Sequence, residues 1–142
     1  MPPKQLKCDV DGVRKAQHGA LARLGAFNED KKLIGEADIS ILKTDKKFIW
    51  LHEIEVNPKC RRKGVGEALI TVIKEIGKEN DAELVYAYPM QPMGAAKPIP
   101  QKKIEAFYKN QGFKPCNPPK DVATVTDEGL FKRGVCLFLK DT

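Results

Sequence analysis

No run of apolar residues in this chain reaches the roughly 20 that a helix needs to cross a bilayer. The N-terminus, Met1-Pro2-Pro3-Lys4-Gln5, has no apolar signal segment either, so the expected location is the cytoplasm. Histidine is scarce, with only His18 and His52, and the four cysteines (Cys8, Cys60, Cys116 and Cys136) form no C-x-x-C pair. Neither type is spaced as zinc ligands are, so no metal site is expected. The cysteines are expected to be reduced, buried or half-buried thiols. Cys60 lies beside Arg61 and Arg62, whose charge favours a thiolate, and is the candidate for a reactive one. Internal repeats and low-complexity tails are absent. No glycine loop ends in G-K-[ST], which excludes a P-loop. Leu69 stands where a dinucleotide fingerprint would need its third glycine.

What is present suits one domain over residues 1–142, with 42% hydrophobic residues, enough for a core that needs no staples. Lysine and arginine number 25 against 19 acids, a net charge of +6. That fits a phosphate-bearing partner without choosing between nucleic acid, a nucleotide cofactor and plain solubility.

Alternation dominates the first half. Ala20 to Phe27 reads as a strand, and Asn28-Glu29-Asp30-Lys31-Lys32 as a polar turn. In Leu33 to Leu42, Ala37, Ile39 and Ile41 alternate with Asp38 and Ser40; Phe48 to Val56 makes a third strand of an antiparallel meander. From Val65 the period changes: Val65, Leu69, Val72, Ile73 and Ile76 fall on one helix face. A short strand over Glu83 to Tyr88 completes a β-α-β crossover. Pro89 to Pro100, with four prolines, is an irregular loop. Gln101 to Gln111 is a helix presenting Ile104, Phe107 and Tyr108, closed by Gly112. Strands are expected from Phe113 and over Gly134 to Leu139. The fold class is α/β with a mixed central sheet.

The chemistry concentrates in Val56-Asn57-Pro58-Lys59-Cys60-Arg61-Arg62-Lys63-Gly64-Val65-Gly66, which joins a strand to the first turn of a helix. A helix start offers unpaired N–H groups and a positive dipole end; Gly64 and Gly66 admit close approach, and Arg61, Arg62 and Lys63 add charge. The segment reads as a phosphate cradle.

The order R-x-x-G-x-G, after a strand and before an amphipathic helix, resembles the coenzyme A-binding signature of the GCN5-related N-acetyltransferase (GNAT) family. Ala106-Phe107-Tyr108-Lys109-Asn110-Gln111-Gly112-Phe113 resembles that family's second signature, F-Y-x-x-x-G-F. The resemblance implies the acyl-coenzyme A N-acyltransferase fold, acetyl-coenzyme A as co-substrate and an amine as acceptor. It implies that the pantetheine arm pairs with the main chain of Ile54 and Val56, in a splay between the fourth and fifth strands. The pyrophosphate would rest on the backbone from Arg61 or Arg62 through Lys63, Gly64 and Val65 to Gly66. Tyr108 is implied as the acid that protonates the leaving thiolate; its plainer role is a core aromatic beside Phe107. For the base that deprotonates the amine, the candidates are His52, Glu53 and Glu55; His52 reads equally as a satisfied histidine under the sheet. Strand alternation puts His52 with Trp50 and Ile54, and Glu53 with Glu55, unless a bulge breaks the parity.

The family usually carries a helical region between its first two strands. Here Lys15-Ala16-Gln17-His18-Gly19 leaves room for a turn at most before Ala20, which opens the acceptor side. A peptide or protein amine is therefore favoured over a small amine such as a polyamine. Two other classes compete: a coenzyme A-binding module without catalysis, and a basic nucleic-acid-binding module. The last lacks a platform of interleaved aromatics, so nucleic acid is not the expected partner.

Overall fold

In the computed structural model, residues 5–89, 99–120 and 134–140 are described. Four strands follow in succession: β1 (Gly12–His18), then β2 (Leu21–Phe27), β3 (Leu33–Lys43) and β4 (Lys47–Val56), the last three built on period-two patterning. Helix α1 (Val65–Glu79) and strand β5 (Leu84–Ala87) follow, then helix α2 (Gln101–Asn110) and strands β6 (Lys114–Cys116) and β7 (Gly134–Phe138). The sheet runs β1-β2-β3-β4-β5-β7-β6. Among the described strands, only β4 and β5 pair in parallel, on either side of α1, and their neighbours are antiparallel. This is the expected meander followed by a β-α-β crossover.

The main core lies between one sheet face and the helices. Ala22, Leu24 and Ala26 of β2, Ala37 and Ile39 of β3, and Ile49 and Leu51 of β4 meet Val65, Leu69, Ile70, Ile73 and Ile76 of α1, with Ile104 and Tyr108 of α2. The other face has a smaller cluster of Phe48, Leu84, Tyr86 and Cys136, with Trp50 packed against it. Burial at these positions supplies most of the cohesion, at about 1.5–3 kcal/mol for each large apolar side chain.

Strand β1 corrects the expectation of a turn before Ala20. All seven of its residues pair with β2, from Gly12↔Phe27 to His18↔Leu21, which leaves Gly19 (φ +61°) and Ala20 as a two-residue hairpin turn. As an edge strand it is exposed on both faces, with only Val13 half-buried, so it shows no apolar alternation. The loop expected over Pro89 to Pro100 lies outside the described residues at 90–98. The stretch between β6 and β7 lies outside them at 121–133.

The cysteines are a second correction. Cys8 pairs with Cys60 (Cα–Cα 5.1 Å) and Cys116 with Cys136 (Cα–Cα 5.8 Å), leaving no free thiol among the described residues. Cys60 is fully buried and disulfide-bonded, so it is no reactive thiolate. Its partner is 52 residues away, brought close by the fold and marked by no local spacing.

Candidate active site

Parallel pairing of β4 with β5 runs from Phe48↔Leu84 to Leu51↔Ala87 and stops there. Strand β4 continues to Val56 against β3 alone, with Gly35↔Val56 as the last pair. Its other edge diverges from β5, and a cavity of about 500 Å³ opens at the divergence. Ile54 and Val56 form one wall, Phe107 and Tyr108 of α2 another, and Arg61, Gly64 and Gly66 its end at α1. Free main-chain groups along such an edge need partners, and an extended ligand arm with amides supplies them.

The α1 end is built to take an anion. A short 3-10 turn (Pro58–Cys60) leads out of β4, with Asn57 Oδ1 accepting from the Lys59 N–H at 3.0 Å. Arg62 (φ +65°) and Gly64 (φ +87°) then adopt left-handed backbone conformations, which cost a non-glycine residue about 1–2 kcal/mol. No side chain caps α1, so its first turn directs backbone donors at the cavity. The Arg61 Nε is buried without a hydrogen-bond partner among the described residues. A buried guanidinium nitrogen left unpaired is costly, and a phosphate oxygen would satisfy it. These residues fit a pyrophosphate. Arg62 is exposed at the rim, and Lys63 is exposed and lies outside the cavity lining. Glu67, in the first turn, lines the cavity with the opposite sign.

Gly66 has a packing role as well. A Cβ there would meet the Phe107 ring at 2.9 Å, so the absent side chain lets α2 close over α1. A substitution at Gly66 therefore shifts α2 as well as blocking a ligand, whereas a Cβ at Gly64 meets nothing within 4 Å and acts through backbone strain alone.

Tyr108 is 4% exposed, with the Phe107 and Phe113 rings edge-on at 5.4 and 5.2 Å. Burial pushes its phenol well above the ordinary value of 10, so it is neutral at any working pH.

A bulge in β4 arranges the opposite side of the sheet. Asp38 pairs with Glu53 and Ile39 with Leu51, which leaves His52 with no partner of its own. Before the bulge Ile49 and Leu51 face the helices; after it Ile54 and Val56 do. His52 packs against Trp50 on the other face, with ring centroids 4.5 Å apart. Glu53 joins it there, opposite Asp38, and Glu55 lies opposite Glu36. The bulge thus separates His52 from Ile54, contrary to simple alternation. Like charges directly across a ladder are unfavourable; Arg23 pairs with Asp38 at 2.8 Å and lies within the field of Glu36 and Glu53 as well. The His52 Nε2 lies 2.5 Å from the Ser40 Oγ. Partial burial holds the ring's pKa below the ordinary 6.5, with the Asp38 carboxylate opposing the shift. It is neutral at pH 7 and able to accept a proton.

With that geometry established, the sequence pattern of the Acetyltransferase (GNAT) family matches residues 4–113. The chain belongs to the GNAT family. No curated protein sequence matches it. Its fold is similar to an acetyltransferase of the GNAT family from Staphylococcus aureus Mu50, with TM-score 0.63 and 19% identity, over 86% of this chain and 70% of that one. It is also similar to the PaiA N-acetyltransferase from Thermoplasma acidophilum in complex with coenzyme A, with TM-score 0.57 and 19% identity, over 82% and 59%. Nourseothricin acetyltransferase gives TM-score 0.56 and 22% identity, over 82% and 62%. The chain thus spans under two thirds of the length of the last two.

Within this GNAT chain the fold brings Ile54, Val56, Arg61, Arg62, Gly64, Val65, Gly66 and Tyr108 to one cavity. His52 and Glu53 share the opposite sheet face, and Lys63 stands apart. Two features escaped the sequence: the buried, unpaired Nε of Arg61 and the contact of Ser40 with His52. Ser40 falls on the polar parity of a half-buried strand, yet it is 4% exposed, and burial of a polar residue is the signal that marks it.

Arg61→Ala should weaken coenzyme A binding by about 10- to 100-fold, the range for a charge-assisted hydrogen bond, without loss of stability in the free protein, whose orphaned nitrogen is removed. Arg62→Ala should cost a few-fold that vanishes at high salt, since its charge is screened. Calorimetric titration at two ionic strengths, beside thermal melts, separates the two arginines. Equal and salt-insensitive losses would contradict this division.

Proposed function

We propose that this GNAT chain transfers an acetyl group from acetyl-coenzyme A to a primary amine of a peptide or protein, by direct attack of the amine on the thioester. The observation that carries this reading is the β4 bulge, which sets Glu53 beside His52 on the sheet face behind the splay while Ile54 and Val56 keep to the cavity. The main chain of Ile54 and Val56 binds the pantetheine arm, and the Arg61–Gly66 loop with the start of α1 holds the pyrophosphate. As the C–N bond forms and the C–S bond breaks, His52 takes the proton from the nitrogen, with Glu53 beside it. Tyr108 hydrogen-bonds through its hydroxyl to the departing sulfur.

Charge on that face supports a cationic acceptor. Glu36, Asp38, Glu53 and Glu55 form two facing carboxylate pairs, and an ammonium group lowers their repulsion. Shape supports an extended one: β1 passes into β2 through two residues, so no helix between them covers this face. A small polyamine has the same charge without the length. No helix among the described residues is long and apolar enough to cross a membrane. The proposed cytoplasmic location has to accommodate two disulfides, which a glutathione-reduced cytosol seldom keeps.

Thiol release from acetyl-coenzyme A, measured over lysine-bearing peptides, polyamines, aminoglycosides and free amino acids, tests the proposal. The expected result is the highest kcat/KM with a lysine-bearing peptide. Turnover of small amines alone would remove the peptide assignment; coenzyme binding without turnover of any acceptor would remove catalysis.

A further inference from the structure

We propose that Ser40 is a positioning residue that fixes the tautomer of His52, holding the proton on Nε2 and leaving Nδ1 free as the base. This rests on His52 being the base. Ser40 is 4% exposed and its Oγ lies 2.5 Å from the His52 Nε2. The cross-strand partner of Ser40 is Trp50, whose ring packs on the imidazole at a 39° tilt. A bulged residue has lost the neighbour that would set its side-chain direction, so something else must hold the ring. Here two residues do: Trp50 limits the plane and Ser40 anchors one nitrogen.

A neutral imidazole has one N–H and one lone pair, so its useful nitrogen depends on what the other nitrogen meets. If Ser40 donated to Nε2, Nδ1 would carry the hydrogen and have no lone pair to offer. If Ser40 accepts from Nε2–H, Nδ1 has the lone pair. The same hydrogen bond then persists once Nδ1 takes the amine proton, and it strengthens because its donor has become cationic. The hydroxyl therefore favours the protonated product over the neutral ring, while partial burial favours the neutral ring. The charged groups on this face are Asp38 and Glu36 of β3, Glu53 and Glu55 of β4, and Arg23 of β2, which is paired to Asp38. None of these fixes the tautomer, because among the described residues none is hydrogen-bonded to the ring.

The test reads the tautomer directly. Nitrogen-15 NMR of the imidazole, above the pH at which the ring titrates, should show Nε2 protonated in the unaltered protein. Ser40→Ala should give a tautomer mixture, and Ser40→Thr, which keeps the hydroxyl, should restore the Nε2–H form. With the best acceptor found, Ser40→Ala should lower kcat/KM by roughly 10-fold and move its acid limb to lower pH, because the imidazolium loses its acceptor. Coenzyme A affinity should not change. An Nδ1–H tautomer in the unaltered protein, or the same spectrum in Ser40→Ala, overturns the role of Ser40 whatever the rates do. Full activity in His52→Ala instead overturns the base assignment, and the spectra still decide which tautomer Ser40 holds.

Discussion

Tyr108→Phe should lower kcat by about 10² to 10⁴ while the fold and coenzyme A affinity survive. The substitution removes one oxygen from the cavity wall and keeps the ring that sits edge-on to Phe107 and Phe113. The size of the loss follows from the proton inventory. The departing thiolate belongs to an acid with a pKa near 8.5, and Tyr108, with its pKa raised by burial, is the weaker acid of the two. Complete transfer runs uphill, so the phenol acts by a hydrogen bond that tightens as charge gathers on sulfur. Its effect belongs to the transition state and falls on kcat more than on binding. The raised pKa adds a second expectation: ionisation of Tyr108 contributes no alkaline fall in rate near the ordinary phenol value of 10. Steady-state rates across pH, with a calorimetric constant for coenzyme A, measure both. A Tyr108→Phe protein within about twofold of the parent would make Tyr108 a core aromatic and nothing more.

The cavity was legible in the sequence because its parts are local. The glycines and arginines of the loop sit within six positions, Arg61 to Gly66, and the α2 wall carries its own F-Y-x-x-x-G-F pattern. Strands β2, β3 and β4 and both helices appeared for the same reason, each being written in its own apolar period. What stayed hidden depends on partners distant in sequence. Strand β1 exists because β2 offers it a ladder, and at an open edge its side chains need no alternation. The parity of Glu53 turns on one extra residue opposite Asp38 and Ile39, which nothing within β4 announces. The meeting of Ser40 with His52 joins two strands and is likewise written in neither one alone. Conserving the alternation through His52 would have placed Glu53 and Glu55 on the helix side; the bulge instead sets them with Asp38 and Glu36, and this gives the proposed acceptor face its acidity.

The disulfides are the clearest case of long-range information, and the Cys8–Cys60 bond is expected to carry the largest single share of stability. Closing a loop of 52 residues in the unfolded chain removes entropy worth about 4 kcal/mol, and closing one of 20 residues about 3 kcal/mol. Cys8→Ser should therefore lower Tm by roughly 10 °C or more, and Cys116→Ser by somewhat less. The two differ more in place than in size. Cys60 is fully buried, lines the cavity between β4 and α2 and immediately precedes Arg61, whereas Cys116 and Cys136 join β6 to β7 at the far edge of the sheet. Loss of the first bond frees the N-terminal segment, whose Leu6 and Val10 pack against the core, and loosens the strained loop at Arg62. Cys8→Ser should then also weaken coenzyme A binding, while Cys116→Ser should leave it unchanged. Thermal melts with and without a dithiol, beside calorimetric titration, test the pair. Reduction should reproduce in the parent what the two substitutions do together, and should add nothing to a protein carrying both. A parent whose Tm ignores the dithiol, with four titratable thiols after unfolding, would show that neither bond is present.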